Sequence, residues 1–134
     1  MEGLGAGAPH VAVEIISAAE RDVDQEAQLD RYRHMGVAEL VRFDCDDVER
    51  PLRVWDRTDD GLVERSLERS TSAECAQLGV FWVVVDDSEL GRALRLARDP
   101  EGRILLPTPV EKERRERELA EKRIRELEEE LRHR

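Results

Sequence analysis

From residue 111 to residue 134 the chain carries nine acidic and nine basic side chains, and all but one of its few apolar residues fall on one line. Ala120, Ile124, Leu127 and Leu131 are spaced four, three and four apart, which is the spacing of a heptad seam. The step Pro107-Thr108-Pro109 precedes this segment and separates it from everything before. The chain therefore divides into an entry (1–8), a globular part (9–106) and a charged helix (107–134). Two heptads fall short of the three or four that sustain a tight coiled coil. Two readings stay open: a weak coiled-coil homodimer through residues 111–134, or a single solvated helix held by i,i+4 pairs such as Glu118–Lys122 and Glu121–Arg125.

Because nine acids cancel nine bases in that segment, the net charge of −10 rests on residues 1–110. Proteins that grip nucleic acid by its phosphates usually present a basic patch. The acidic balance therefore predicts at most weak, unaided contact with DNA. It does not exclude a nuclease, whose metal site needs clustered carboxylates. No stretch approaches the roughly 18 apolar residues of a membrane span. The opening MEGLGAGA has no basic n-region or long apolar core and does not read as a signal peptide. Cys45 and Cys75 are far apart and in no metal spacing, so reduced thiols in a soluble, cytoplasmic protein are the expectation.

Within the globular part, residues 11–16 (VAVEII) form an apolar run that predicts a buried strand. Residues 21–35 suit a helix, with Ala27, Leu29, Tyr32 and Met35 on its packed side and Gly36 as the stop. Residues 38–44 predict a second strand, with Val41 and Phe43 on one face and Leu40 on the other. Residues 52–56 and 62–67 bracket Thr58-Asp59-Asp60-Gly61, an Asp-Gly hairpin signal. Residues 78–85 are the most apolar run and predict another buried strand. Residues 93–97 add one more before the turn Asp99-Pro100-Glu101-Gly102. The expectation is a mixed α/β (α+β) sheet with a flanking helix. One or two helices leave its core thin.

Glu14 stands in the middle of VAVEII, where an unpaired charge would cost several kcal/mol. Either it is exposed or paired with an Arg, or it opens into a cleft and binds a divalent cation. Asp44, Asp46 and Asp47 read as a polar loop after a strand, His34 and His133 as solvated side chains. Ser17 lacks the setting of a nucleophilic serine.

Residues 9–44, PHVAVEIISAAERDVDQEAQLDRYRHMGVAELVRFD, add a further signal. Pro9, Glu14, Ser17, Asp24, Tyr32, Gly36, Val37, Glu39 and Asp44 fall in the order and spacing of a bacterial family of restriction endonucleases. The hairpin, the 78–85 strand, LARDPEGR and LLPTPVE also fall in step. The chain thus resembles a member of the PD-(D/E)XK, restriction-endonuclease-like superfamily. That resemblance implies a mixed sheet with flanking helices and phosphodiester hydrolysis of DNA. It also implies Mg²⁺ held by converging carboxylates, with a Lys near the attacking water. Glu14 is then the metal-binding and catalytic carboxylate. His10 stands where the family has Asp, a degenerate metal position, and Gln28 stands where it has the catalytic Lys. Family members carry several dozen residues before the Pro, where this sequence has eight. The expected function is a metal-dependent endonuclease-like domain with an impaired site. The alternative is an inactive nuclease-like module that interacts or oligomerises through its C-terminal helix.

Overall fold

Strand residues alternate between two faces, so a strand buried at successive positions needs cover on both sides. The segment ELVRFD meets that condition, being buried from Glu39 through Phe43. The computed structural model, which describes residues 10–16, 24–89 and 91–133, shows how the cover is supplied.

Seven strands and two helices are described, in the order β1 (Val11–Ile16), α1 (Gln25–Met35), β2 (Glu39–Asp44), β3 (Leu52–Thr58), β4 (Gly61–Glu64), β5 (Ser72–Cys75), β6 (Val80–Asp87), β7 (Gly91–Ala97) and α2 (Pro109–Arg132). They form two sheets. The first has the order β1-β2-β3-β4, with β1 and β2 parallel and the other pairs antiparallel; the second is the antiparallel meander β5-β6-β7. The architecture is mixed α+β. The sequence predicts one mixed sheet with a thin core, and the structure has two packed sheets.

The central strand β2 carries the core on both faces. On one face Val41 packs with Leu52 and Val54 of β3 and with Ala73, Cys75 and Trp82 of the second sheet. On the other, Leu40 and Trp55 pack with Val37 and with Leu29 and Tyr32 of α1. The second sheet thus occupies the face that a second helix would otherwise cover. Burying each such Val or Leu side chain stabilises the fold by roughly 1.5–3 kcal/mol.

Local signals set the element ends. Asp24 caps α1, its carboxylate accepting from the N–H groups of Glu26 and Ala27 at 3.0 and 3.2 Å, so the described helix begins at Gln25 rather than at residue 21. Residues 21–23 and Ser17 lie outside the described residues. Gly36 ends α1 at φ +81°, a left-handed conformation that Gly adopts without a Cβ penalty. The hairpin loop is Asp59-Asp60, with Gly61 opening β4 at φ +100°. A Cβ there would stand 3.0 Å from Cδ of Arg33, so Gly61 also admits α1 to the hairpin. Leu78 belongs to a turn that Gly79 closes onto the Cys75 carbonyl (2.9 Å), so β6 starts at Val80, two residues after the expected start. β5 was not foreseen, because Ser-Ala-Glu-Cys is short and carries no strand signal.

α2 starts with a capping box in which Thr108 accepts from the Glu111 N–H and Glu111 accepts from the Thr108 N–H. Arg95 of β7 donates to the Leu106 carbonyl and to Glu111, both at 2.8 Å, and ties that end to the second sheet. Beyond it no residue of α2 is buried.

Candidate functional site

β1 is an edge strand, and Glu14 projects from it toward α1. The register places Arg42 of β2 directly across from it. Its guanidinium Nε donates to Oε1 of Glu14 at 2.7 Å, with both side chains almost wholly withdrawn from water (6% and 8% exposed). Two groups on α1 complete the carboxylate's surroundings. With its amide turned nitrogen-inward, Gln28 donates to both Glu14 oxygens at 3.2 Å. Tyr32, one helical turn on, lies near the same carboxylate. Burial first, then the charge of Glu14, push its phenol above the ordinary value. Of the two readings open for Glu14, the described geometry is the buried pair with an Arg.

The pair belongs to a ladder running across the four-stranded sheet on its α1 face. Arg42 lies opposite both Glu14 and Arg53. Its guanidinium and that of Arg53 each stand 4.8 Å from the centre of the Trp55 ring, within cation–π range. Arg53 closes the ladder on Glu64 of β4 through two hydrogen bonds of 2.9 and 2.7 Å, and Arg50 joins the same carboxylate. The hydrogen bond from Arg53 above all, with the charges of Arg53 and Arg50, holds the Glu64 carboxyl below its usual range although burial opposes it. The order of charges is negative, positive, positive, negative, with Trp55 beside the two cations. Nη2 of Arg42 is buried and has no acceptor among the described residues. A cleft of about 280 Å³ opens alongside, lined by Arg42, Arg50 and Arg53 and by Asp44 and Asp47.

The structure brings Glu14 and Gln28 together and leaves His10 apart. His10 is exposed at the start of the first sheet's edge, where its carbonyl accepts from the N–H groups of Ala38 and Glu39. It is four residue steps of extended chain from Glu14, about 13 Å between Cα atoms. Mg²⁺ draws its ligands to about 2.1 Å, a convergence these two positions do not make. Among the described residues no group of three His, Cys, Asp or Glu side chains gathers in metal-binding proximity. The described surroundings of Glu14 do not fit Mg²⁺. They offer one carboxylate, already neutralised by a guanidinium at 2.7 Å, with an amide and a phenol beside it.

A second buried carboxylate carries a role that sequence reasoning missed. Glu39 is wholly buried, on the other face of β2. It accepts from the Ala76 N–H and from the Trp82 indole N–H, both at 3.1 Å, and Arg65 stands 3.6 Å away. These bonds join the two sheets through a charged acceptor, and Arg65 is itself clamped to Asp56 at 2.8 and 2.6 Å. Burial, with smaller contributions from Glu39, raises the Cys75 thiol pKa. A signal was present: a Glu opening an apolar strand needs a partner, and a buried Trp N–H needs an acceptor.

Among the described residues no helix is long and apolar enough to cross a membrane. Cys45 and Cys75 are free thiols. No family model matches this sequence. A comparison with curated proteins finds no match either.

Proposed function

We propose that this chain is a restriction-endonuclease-like domain with a degenerate site, serving as an interaction module that self-associates through α2. One observation carries the reading. The carboxylate that the resemblance assigns to the metal is engaged by Arg42 and Gln28, with Tyr32 nearby, and the position of the activating Lys is an amide that stabilises Glu14 instead. The cation beside Glu14 is then part of the protein, and α2 offers its apolar stripe, with Ile124, Leu127 and Leu131 all exposed, to a second copy. The reading places the chain in the cytoplasm, where Cys45 and Cys75 stay reduced.

A second reading, residual endonuclease activity, is favoured by the cleft beside Arg42, since three guanidiniums there offer the planar donors that suit a phosphate. Plasmid nicking in Mg²⁺ and in Mn²⁺, comparing the wild type with Glu14→Ala, separates the two. Equal background cleavage by both proteins is the expected result; nicking by the wild type that Glu14→Ala abolishes would reinstate the nuclease. Sedimentation of the chain with and without residues 111–134 tests the module. A concentration-dependent dimer that disappears with the tail is expected, whereas identical monomers would remove it.

A further inference from the structure

We propose that α2 pairs with α2 of a second copy in the antiparallel sense, with the overlap centred on residues 120–131; this rests on the self-association reading above. The stripe itself is short. Extending the heptad from Ala120, Ile124, Leu127 and Leu131 toward the N-terminus places Arg117, Glu113 and Val110 in the seam. A parallel pair sets each seam residue against its own copy. That stacks Glu113 on Glu113 and Arg117 on Arg117, two like-charge layers between the apolar contacts and the globular parts. An antiparallel pair centred between Arg125 and Glu126 avoids both. Ile124 then meets the second copy's Leu127, Ala120 meets its Leu131 so that a small side chain faces a large one, and Glu113 lies beyond the end of the partner helix. Arg117 falls level with the second copy's Arg134, so one like-charge pair remains at each end of the overlap, outside the apolar contacts.

The residues flanking the seam do not decide the matter. A parallel pair sets Arg123 against Glu128 favourably and Glu116 against Glu121 unfavourably. An antiparallel pair sets Arg123 beside Glu130 favourably and Glu121 beside Glu128 unfavourably. The globular parts do decide it. Residues 1–110 of each copy carry the whole net charge of −10. A parallel pair would begin both helices about 10 Å apart and hold two acidic bodies side by side. In the antiparallel register the two copies of Pro109 are 33 residues apart along the axis, about 50 Å at 1.5 Å per residue. That is several times the screening length of about 8 Å at physiological ionic strength.

The test is disulfide trapping in the full chain, carrying Cys45→Ser to remove the more accessible native thiol. Ala120→Cys and Leu131→Cys variants are oxidised singly and as an equimolar mixture, and the products are weighed intact. The expected product is the mixed dimer joining position 120 to position 131, with at least a tenfold excess over the 120–120 dimer. Trapping of Ala120→Cys with itself in equal or greater yield would overturn the antiparallel pairing. Sedimentation of the wild type separates the two failures: a dimer that traps at 120–120 refutes the orientation alone, and a monomer refutes self-association and the orientation with it.

Discussion

Replacing Arg42 by Met tests the reasoning about Glu14 most directly. Met keeps a similar length of apolar side chain beside Trp55 and removes the guanidinium. The carboxylate is then left 8% exposed, with its cation gone from 2.7 Å. Removing one partner of a buried pair costs about 3–5 kcal/mol, because the remaining charge is desolvated without compensation. Here the lower end applies, about 3 kcal/mol, since Gln28 still hydrogen-bonds the carboxylate. For a chain of this size that is a fall in Tm of roughly 10 °C. The double variant Glu14→Met/Arg42→Met removes both charges and leaves apolar side chains of similar volume. It should return to within about 1 kcal/mol of the wild type. Urea unfolding followed by far-UV circular dichroism and by tryptophan fluorescence, which reports Trp55 beside the pair, measures the wild type, the two single variants Arg42→Met and Glu14→Met, and the double variant. The account is refuted if Arg42→Met is neutral, or if the double variant loses the sum of the single losses, since the pair would then carry no coupling.

Three further outcomes follow from other parts of the fold. Glu64 has its carboxyl pKa lowered on folding, chiefly by the hydrogen bond from Arg53, so its contribution is present above the unfolded value near 4.5 and is lost as pH falls through the lower folded value. The urea midpoint should therefore drop as pH falls below about 4.5, and Glu64→Gln should flatten part of that drop. Glu39→Ala strips the acceptor from Trp82 Nε1 and from the Ala76 N–H, costing about 3 kcal/mol and red-shifting tryptophan emission. An unchanged spectrum and midpoint would mean that the link between the sheets is not energetic. Cys45 is partly exposed while Cys75 is buried with its thiol pKa raised, so Ellman's reagent should titrate one fast thiol in the folded chain and two in denaturant. Two fast thiols in the native protein would contradict the packing of β5.

The candidate site was legible in the sequence as far as single residues go. Glu14 drew notice because a carboxylate in VAVEII needs compensation, and a paired Arg was one of its two readings. Which Arg was beyond reach, because Arg42 is 28 positions away and becomes its neighbour only through the parallel register of β1 and β2. Gln28 and Tyr32 share one helix face at a spacing of four, yet their aim at Glu14 depends on how α1 crosses the sheet. His10 shows the opposite case: its place in the motif suggested a ligand, and the extended strand carries it away from Glu14.

What the residues determine by themselves is local. The Asp24 cap, the Gly36 stop, the turn before Gly61 and the Thr108–Glu111 box each act within about four residues, where backbone sterics and nearby hydrogen bonds suffice. The heptad stripe of α2 is equally local, and its helix follows from those residues whether or not a partner is bound. Tertiary structure decided the rest: that seven strands divide into two sheets, that β2 is covered on both faces, and that Glu39 reaches Trp82 across 43 residues. Such pairings depend on which surfaces can bury each other and on which buried charges find partners. No window along the chain contains both sides of those contacts.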